Sequence, residues 1–328
     1  MSDKIIAETK REYIFGPVPS RRLGRSLGVD LVPFKTCSYD CIYCQLGRTT
    51  NKTIQRKEWA PIDIVVGQLK EKLDSRPDYI TLSGSGEPTL FSRLEELISR
   101  IKDITDIPVA VLTNGSLLWL PEVRKALKSA DMVVPSLDAG SSQIFQYVNR
   151  PHQDITFNKM LQGLVEFRKD YNGQYWLEVF VLAGVTTPEM EINRLKTCIN
   201  AICPDKVQVN TVTRPPAEGF AEPVPQKQLQ TITEKLYEKA EVIADYGNVH
   251  KQQDFSARRK DVLTLLQRRP CSIGDIAAGL GLHRNEVVKY VEELSTEGKI
   301  EAKPQNQQLY YKATIYNNSG ILHENNRN

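Results

Sequence analysis

Thr36-Cys37-Ser38-Tyr39-Asp40-Cys41-Ile42-Tyr43-Cys44-Gln45 is the stretch whose reading decides the fold. Its cysteines are spaced CxxxCxxC. Three thiolates packed this closely can grip one iron–sulfur cluster. Because three are offered and not four, one iron of a cubane cluster would lack a protein ligand. An open iron is a place to bind and activate a small molecule, which a purely electron-carrying cluster does not need. Two plainer readings stand beside this one. Structural zinc usually takes four ligands in CxxC pairs, and no fourth Cys or His is near, the first His being His152. Disulfides want an oxidising compartment, and the N-terminus, Met1-Ser-Asp-Lys-Ile-Ile-Ala-Glu8, lacks the long apolar run of a secretory leader.

Outward from the cysteines the pattern alternates strand and helix. Short β-branched runs fall at Leu27–Val32, Tyr79–Ser83, Val109–Thr113, Met132–Ser136, Trp176–Leu182 and Lys206–Val212. Helical stretches between them fall near Ile62–Leu73, Leu90–Ile101, Pro121–Lys128, Thr156–Lys169 and Pro188–Ile202. Thr187-Pro188-Glu189 reads as a cap, an N1 proline and an acidic first turn. Strands separated by one helix make a parallel sheet with right-handed crossovers. Six such units are too few for a closed eight-fold barrel. Arg214–Pro225 reads as a proline-rich linker, followed by a charged helix over about Gln226–Ala244. Ser256–Arg268, Ser272–Leu280 and Arg284–Glu297 then read as helices. Lys299–Lys303 and Leu309–Lys312 follow as strands about the polar turn Pro304–Gln308. That order is the order of a winged helix-turn-helix.

The bulk numbers set limits. A chain of 328 residues buries a substantial core. Its net charge of +3 does not mark the whole molecule as a polyanion binder. No run approaches about 18 consecutive apolar residues, so no membrane span is expected, and a cytoplasmic location is. Six cysteines are too few and too unevenly spaced for a disulfide framework. Cys198, Cys203 and Cys271 read as buried small hydrophobes.

With Tyr43 completing CxxxCxΦC, the loop resembles the signature of the radical S-adenosylmethionine (radical SAM) superfamily. The resemblance spans roughly residues 15–215. It implies an α/β fold, an open six-strand (β/α)6 partial TIM barrel, followed here by the small winged-helix domain. The domain boundaries expected are 1–213 for the core, 214–250 for linker and helix, 251–316 for the winged helix and 317–328 for a disordered tail. The implied cofactors are a 4Fe–4S cluster on Cys37, Cys41 and Cys44, and S-adenosylmethionine. Tyr43 would lie against the adenine, or be an ordinary packing tyrosine. Thr81-Leu-Ser-Gly84-Ser-Gly86-Glu87-Pro88 resembles the family's Gly-Gly-Glu motif with Ser85 in place of the first glycine. Gly84 and Gly86 would let backbone approach a ligand, and Glu87 would accept from a methionine ammonium at the mouth. Thr113 and Asn114 at the end of the third strand lie near the cofactor in the family. Ser136 and Asp138 suit ribose hydroxyls, although Asp138 can equally cap a turn. Gly184 would flank adenine.

Arg21, Arg22 and Arg25 sit in a Gly- and Pro-rich segment that does not read as plain helix or strand. They can meet a substrate phosphate or carboxylate, or form a solvated basic loop. This segment and the cysteine loop together resemble a group related to wyosine-forming tRNA enzymes and molybdenum-cofactor cyclisation enzymes. No cysteine precedes Cys37, which argues against the wyosine reaction, whose enzymes carry a second upstream cluster. On the candidate recognition helix Arg284, Asn285 and Lys289 are base-edge readers by type. Glu286, Glu292, Glu293 and Glu297 make the same helix acidic. A nucleic acid, a protein partner or a substrate can therefore be its ligand.

The resemblance implies reductive cleavage of S-adenosylmethionine to a 5′-deoxyadenosyl radical that takes hydrogen from an unnamed substrate. A ferredoxin or flavodoxin would supply the electron. The alternatives are a tRNA-modifying enzyme of the same superfamily, an iron–sulfur redox sensor that regulates DNA binding, and a zinc-bound α/β protein.

Overall fold

Parallel strands must hide both faces, so they read as apolar runs and need helices laid across them. The structure, a computed structural model, describes residues 11–20, 22–244, 259–282, 284–305 and 308–314. Its strands are β1 (Ile14–Ser20), β2 (Gly24–Val29), β3 (Thr36–Cys37), β4 (Asn51–Lys52), β5 (Tyr79–Leu82), β6 (Val109–Thr113), β7 (Met132–Pro135), β8 (Gln174–Phe180), β9 (Lys206–Asn210), β10 (Ala240–Val242), β11 (Ile300–Gln305) and β12 (Gln308–Ala313). Its helices are α1 (Ile62–Lys70), α2 (Leu94–Lys102), α3 (Pro121–Leu127), α4 (Ser142–Asn149), α5 (Phe157–Asp170), α6 (Glu189–Ile202), α7 (Gln226–Leu236), α8 (Arg259–Arg268), α9 (Ile273–Leu280) and α10 (Arg284–Thr296).

One sheet runs in the order β1-β2-β5-β6-β7-β8-β9-β10. From β2 to β10 every pair is parallel. The whole of β7 is buried. α2 shows how each helix meets the sheet: Leu94, Leu97, Ile98 and Ile101 are buried, the i, i+3, i+4, i+7 stripe of an amphipathic helix. The main core runs through these helices and strands without a break.

The sheet has two more strands than the six read from sequence. β1 pairs antiparallel with β2, with a register shift between Phe15 and Val18. Its prolines hid it from the sequence reading. Proline cannot donate to a ladder, but an edge strand has one side with no ladder to feed. β10 pairs parallel with β9, so the charged helix expected to run to Ala244 stops at Leu236. Leu229, Ile232 and Leu236 belong to the main core, which makes the segment after the prolines part of the main body. α4 was missed, although Ser141 stands at its N-cap and Pro151 follows its end. Cys198 and Cys271 are buried as expected, but Cys203 is exposed, because it ends α6 at the surface with φ 55°. Residues 256–258 of the expected first C-terminal helix, Arg21 and the tail lie outside the described residues.

Three helices, α8 to α10, and the β11–β12 hairpin form a C-terminal module. It covers the β1 edge. Phe15 and Val18 of β1 share one buried cluster with Val262, Leu265, Leu266, Ile276 and Val287. Ser272 and Asp275 close α9 with a reciprocal capping box. Covering an edge strand blocks its open hydrogen-bonding groups from another chain. Among the described residues no helix is long and apolar enough to cross a membrane.

The shared cluster makes a prediction. Leu266 is fully buried, so Leu266→Ala costs about 2–5 kcal/mol in urea denaturation. Phe15→Ala, on the β1 side, lowers the stability of the module too. Unchanged hydrogen-exchange protection of α8 in Phe15→Ala would show that the two do not share a core.

Candidate active site

The cysteine loop follows β2 and is tied down at several points. At its base Thr36 and Cys37 pair with Asn51 and Lys52. Its middle meets the C-terminal end of α4: Asp40 N donates to Asn149 O at 3.0 Å and Ile42 N to Val148 O at 2.9 Å. The last carbonyls of a helix have no partner within it, and here the loop supplies donors. The Asp40 carboxylate accepts from Thr49 N at 2.7 Å and Arg48 Nε at 3.1 Å, which fixes the loop's return.

Each cysteine sulfur has an N–H donor of its own. Asn114 Nδ2 lies 3.5 Å from Cys37 Sγ, Asn149 Nδ2 3.5 Å from Cys41 Sγ, and Lys35 Nζ 3.2 Å from Cys44 Sγ. The three thiols are free and partly exposed. Burial pushes the Cys37 thiol up to about 12, and Glu87 and Cys44 add to the rise. Cys41 is raised by burial, then Asp138, then the other two thiols. Cys44 acts on Cys37, and Cys37 and Cys44 both act on Cys41, so the loop brings its sulfurs within electrostatic reach, a cost that a bound cation relieves. Among the described residues no three Cys, His, Asp or Glu side chains converge as one metal ion requires. A close set of free thiols, each oriented by an N–H group, fits a multi-iron cluster.

Glu87 was expected at the mouth; it is buried below it. Its carboxylate accepts from Thr89 N at 3.0 Å, Thr89 Oγ1 at 2.6 Å, Thr113 Oγ1 at 2.6 Å and Asn114 N at 2.7 Å. Thr113 Oγ1 itself accepts from Gly115 N at 3.1 Å, so its proton points to Glu87. Burial raises the Glu87 carboxyl, and these donors pull it back down. The neighbouring backbone is in close contact: a Cβ on Gly86 would stand 1.8 Å from Thr36 O.

Asp138 is likewise a brace. It accepts from Tyr43 Oη at 2.6 Å, Asn149 Nδ2 at 2.7 Å and Phe180 N at 3.2 Å. Burial pushes it up to about 6, against the pull of Tyr43 and Asn149. Tyr43 stacks on Phe180 with ring centroids 3.9 Å apart.

A cavity of about 410 Å³ opens beside this loop at the carboxyl end of the strands. Of the residues read from sequence, Cys37, Cys44, Tyr43, Gly84, Gly86, Ser136 and Arg22 line it. Glu87, Thr113, Asn114 and Asp138 support it from below and do not line it, because their polar atoms are used within the protein. Gly184, on an exposed turn, and Cys41 are not among its lining residues either. Arg25 is turned toward the opposite end of β2, where its Nη2 donates to Ser75 O at 2.9 Å and its N to Asp78 Oδ2 at 2.6 Å. Arg284 and Lys289 are exposed on α10, away from the cavity. Arg21 lies outside the described residues, as does the side chain of Asn285.

The sequence reading missed several lining residues: Lys35, Glu178, Phe180, Asn210, Arg214, Arg268 and Arg269. Glu178 left a signal: it is a carboxylate between Leu177 and Val179 in β8. Asn210 ends β9, where Lys206 and Gln208 are polar too, and it donates to Glu178 at 3.0 Å.

Residues 31–192 match the model of the radical SAM superfamily. A UPF0026 protein of Methanocaldococcus jannaschii is 38% identical over 226 residues, 68% of this chain and 69% of that protein. The chain belongs to the UPF0026 family and carries a radical SAM domain. A longer relative is the GTPase Obg of Brachyspira hyodysenteriae, 37% identical over 318 residues. Those residues are 95% of this chain and 47% of that protein. Among solved structures, a radical SAM methyltransferase from Sphaerobacter thermophilus superposes with a TM-score of 0.52 over 68% of this chain and 67% of that one, at 15% identity. At that identity the likeness establishes the fold alone. Members of the superfamily bind a 4Fe–4S cluster and S-adenosylmethionine.

Two substitutions check the support beneath the cysteines. Glu87→Gln turns an amide N–H₂ toward existing donors and costs about 1–3 kcal/mol in urea denaturation. Gly86→Ala drives the cysteine loop outward, and anaerobic reconstitution yields a chain with less than about a tenth of the wild-type iron. Wild-type iron content in Gly86→Ala would show that Thr36 moves freely and that the close approach is not required.

Proposed function

We propose that this UPF0026 protein is a radical SAM enzyme whose cluster is held by Cys37, Cys41 and Cys44. The observation that carries the reading is the cysteine set itself: three free thiols on one loop, each with its own N–H donor, two of them lining the cavity. When bound, the cluster and S-adenosylmethionine supply reductive cleavage of the sulfonium and a 5′-deoxyadenosyl radical for hydrogen abstraction. The protein's part is to bind, orient and exclude water. Gly84 and Gly86 line the cavity where the methionine end would lie, and their missing Cβ atoms let Asp30 and Thr36 pack closely behind them. The Tyr43–Phe180 pair offers an aromatic wall for adenine, with Tyr43 held by Asp138. Ser136 offers a hydroxyl to the ribose.

The reductant is a separate electron carrier of the ferredoxin or flavodoxin type. Free thiols and a reducible cluster suit the cytoplasm. α8 to α10 with the β11–β12 hairpin have the order of a winged helix-turn-helix.

Reconstitution with iron and sulfide, then dithionite and S-adenosylmethionine, gives 5′-deoxyadenosine by chromatography. Cys41→Ala lowers that product at least about a hundredfold. A protein that takes up zinc and no iron would overturn the reading. Lys35 supports a second measurement, because hydrogen bonds and charge at cluster sulfurs set reduction potentials. Lys35→Met shifts the midpoint potential to a more negative value; an unchanged potential would show that the Lys35 contact to Cys44 does not persist with the cluster in place.

A further inference from the structure

The C-terminal module reads by its order as a nucleic-acid binder, yet its position says otherwise. Its candidate reading helix, α10, lines no part of the cavity, and Glu293 on that helix and Glu297 just past its end pair with Arg259. The end of α8 instead enters the cavity wall. Arg268 and Arg269 are consecutive, so their side chains splay about 100° apart around the helix end. Arg268 Nε reaches Asp30 at 3.1 Å, and its Nη2 donates to Glu12 O at 2.7 Å. The hairpin closes the other side: Tyr310 Oη donates to Thr213 O at 2.8 Å. Lys312, half-buried on β12, is lowered by burial, then by Lys303, and also by Lys35 beside the cysteines.

The cavity wall is strongly basic. Arg22, Lys35, Arg214, Arg268 and Arg269 line it, against one acidic lining residue, Glu178. Arg22 is matched to Glu178 at 2.8 Å, and Arg268 to Asp30. Arg269 is different. Its Nη2 is buried and has no hydrogen-bond partner among the described residues. Arg269 and Arg214 both line the cavity, and both act on the buried Cys271 thiol. Arg214 is 7% exposed and also donates to the neutral Gln45 Oε1 at 3.1 Å. A buried guanidinium nitrogen with no acceptor costs stability unless a ligand supplies one. A cation at a helix C-terminus is ordinarily explained by the helix dipole, but that explanation leaves the side chain in solvent. Here it is turned into the cavity.

We propose that the C-terminal module is the substrate-binding wall of the active site, and that Arg269 and Arg214 bind an oxyanion of a small substrate. Guanidinium groups pair with phosphate or carboxylate through parallel N–H donors. The volume of about 410 Å³ admits a small molecule and no nucleic-acid helix. The inference rests on the radical SAM reading of the cavity, since it takes the cavity as the place of reaction.

The test uses the cluster-loaded chain and two independent measurements. In the first, inorganic phosphate and acetate are titrated by calorimetry as probes for the two oxyanion classes. One of them saturates the wild type, and Arg269→Met weakens it by about tenfold or more, equivalent to about 1.4 kcal/mol or more. Arg269→Lys, which keeps the charge and loses the planar fork, falls between. Arg214→Lys is a second variant should Arg269→Met fold poorly. In the second, the electron paramagnetic resonance spectrum of the reduced cluster is compared with and without S-adenosylmethionine. Arg269→Met keeps the wild-type change. No saturable response to either probe, or equal affinity in wild type and both variants, overturns the oxyanion site. Binding of a short RNA that Arg284→Ala abolishes and Arg269→Met leaves intact also overturns it. Oxyanion binding without any spectral response to S-adenosylmethionine sinks the radical SAM reading and leaves the oxyanion site standing.

Discussion

The carboxylate of Glu87 holds the candidate site together. Four donors converge on it, two from Thr89 and one each from Thr113 and Asn114. Its own N–H donates to Thr36 O at 3.1 Å. One residue therefore joins the loop after β5, the end of β6 and the start of the cysteine loop. Asn114, fixed by that contact, turns its amide to Ser38 Oγ at 2.9 Å and to Cys37 Sγ. A buried carboxylate is tolerable only when fully hydrogen-bonded, and here that requirement also sets the position of a candidate metal ligand. Asp138 does the same on the other side, linking Tyr43, Asn149 and Phe180, while Asn149 reaches Cys41.

Much of this was legible in the sequence because it is local. CxxxCxxC places three thiols within one loop whatever the fold around them. The apolar runs of β5, β6 and β7 announced a parallel sheet, since strands buried on both faces cannot alternate. The glycines of 84–86 announced close backbone contact, and Gly86 has it with Thr36. What the sequence could not supply was direction. Glu87 and Asp138 follow strand ends, where a carboxylate can face the cavity or the protein beneath it. The choice depends on Thr113, Asn149 and Tyr43, which are distant along the chain. β1 was obscured by its prolines, which are harmless on an edge.

The basic wall was hidden for a related reason. Arg268 and Arg269 end a helix that, read alone, belongs to a separate domain. Arg268 meets Glu12 across 256 residues of sequence. Nothing near either residue signals that the module folds back over β1. The physical cause is the edge itself: a strand with open hydrogen-bonding groups and apolar Phe15 and Val18 needs a cover, and the cover that buries them also carries arginines into the cavity. One docking event thus both buries the edge strand and completes the cavity wall.

The central claim is that the three cysteines hold a cluster with one iron open to S-adenosylmethionine. Electron–nuclear double resonance on the reduced, reconstituted chain tests it most directly, using S-adenosylmethionine labelled with a nitrogen isotope at its amino group. The account predicts a hyperfine coupling from the label in the wild type, absent in Cys41→Ala. A reduced cluster that shows no coupling to the label would contradict it.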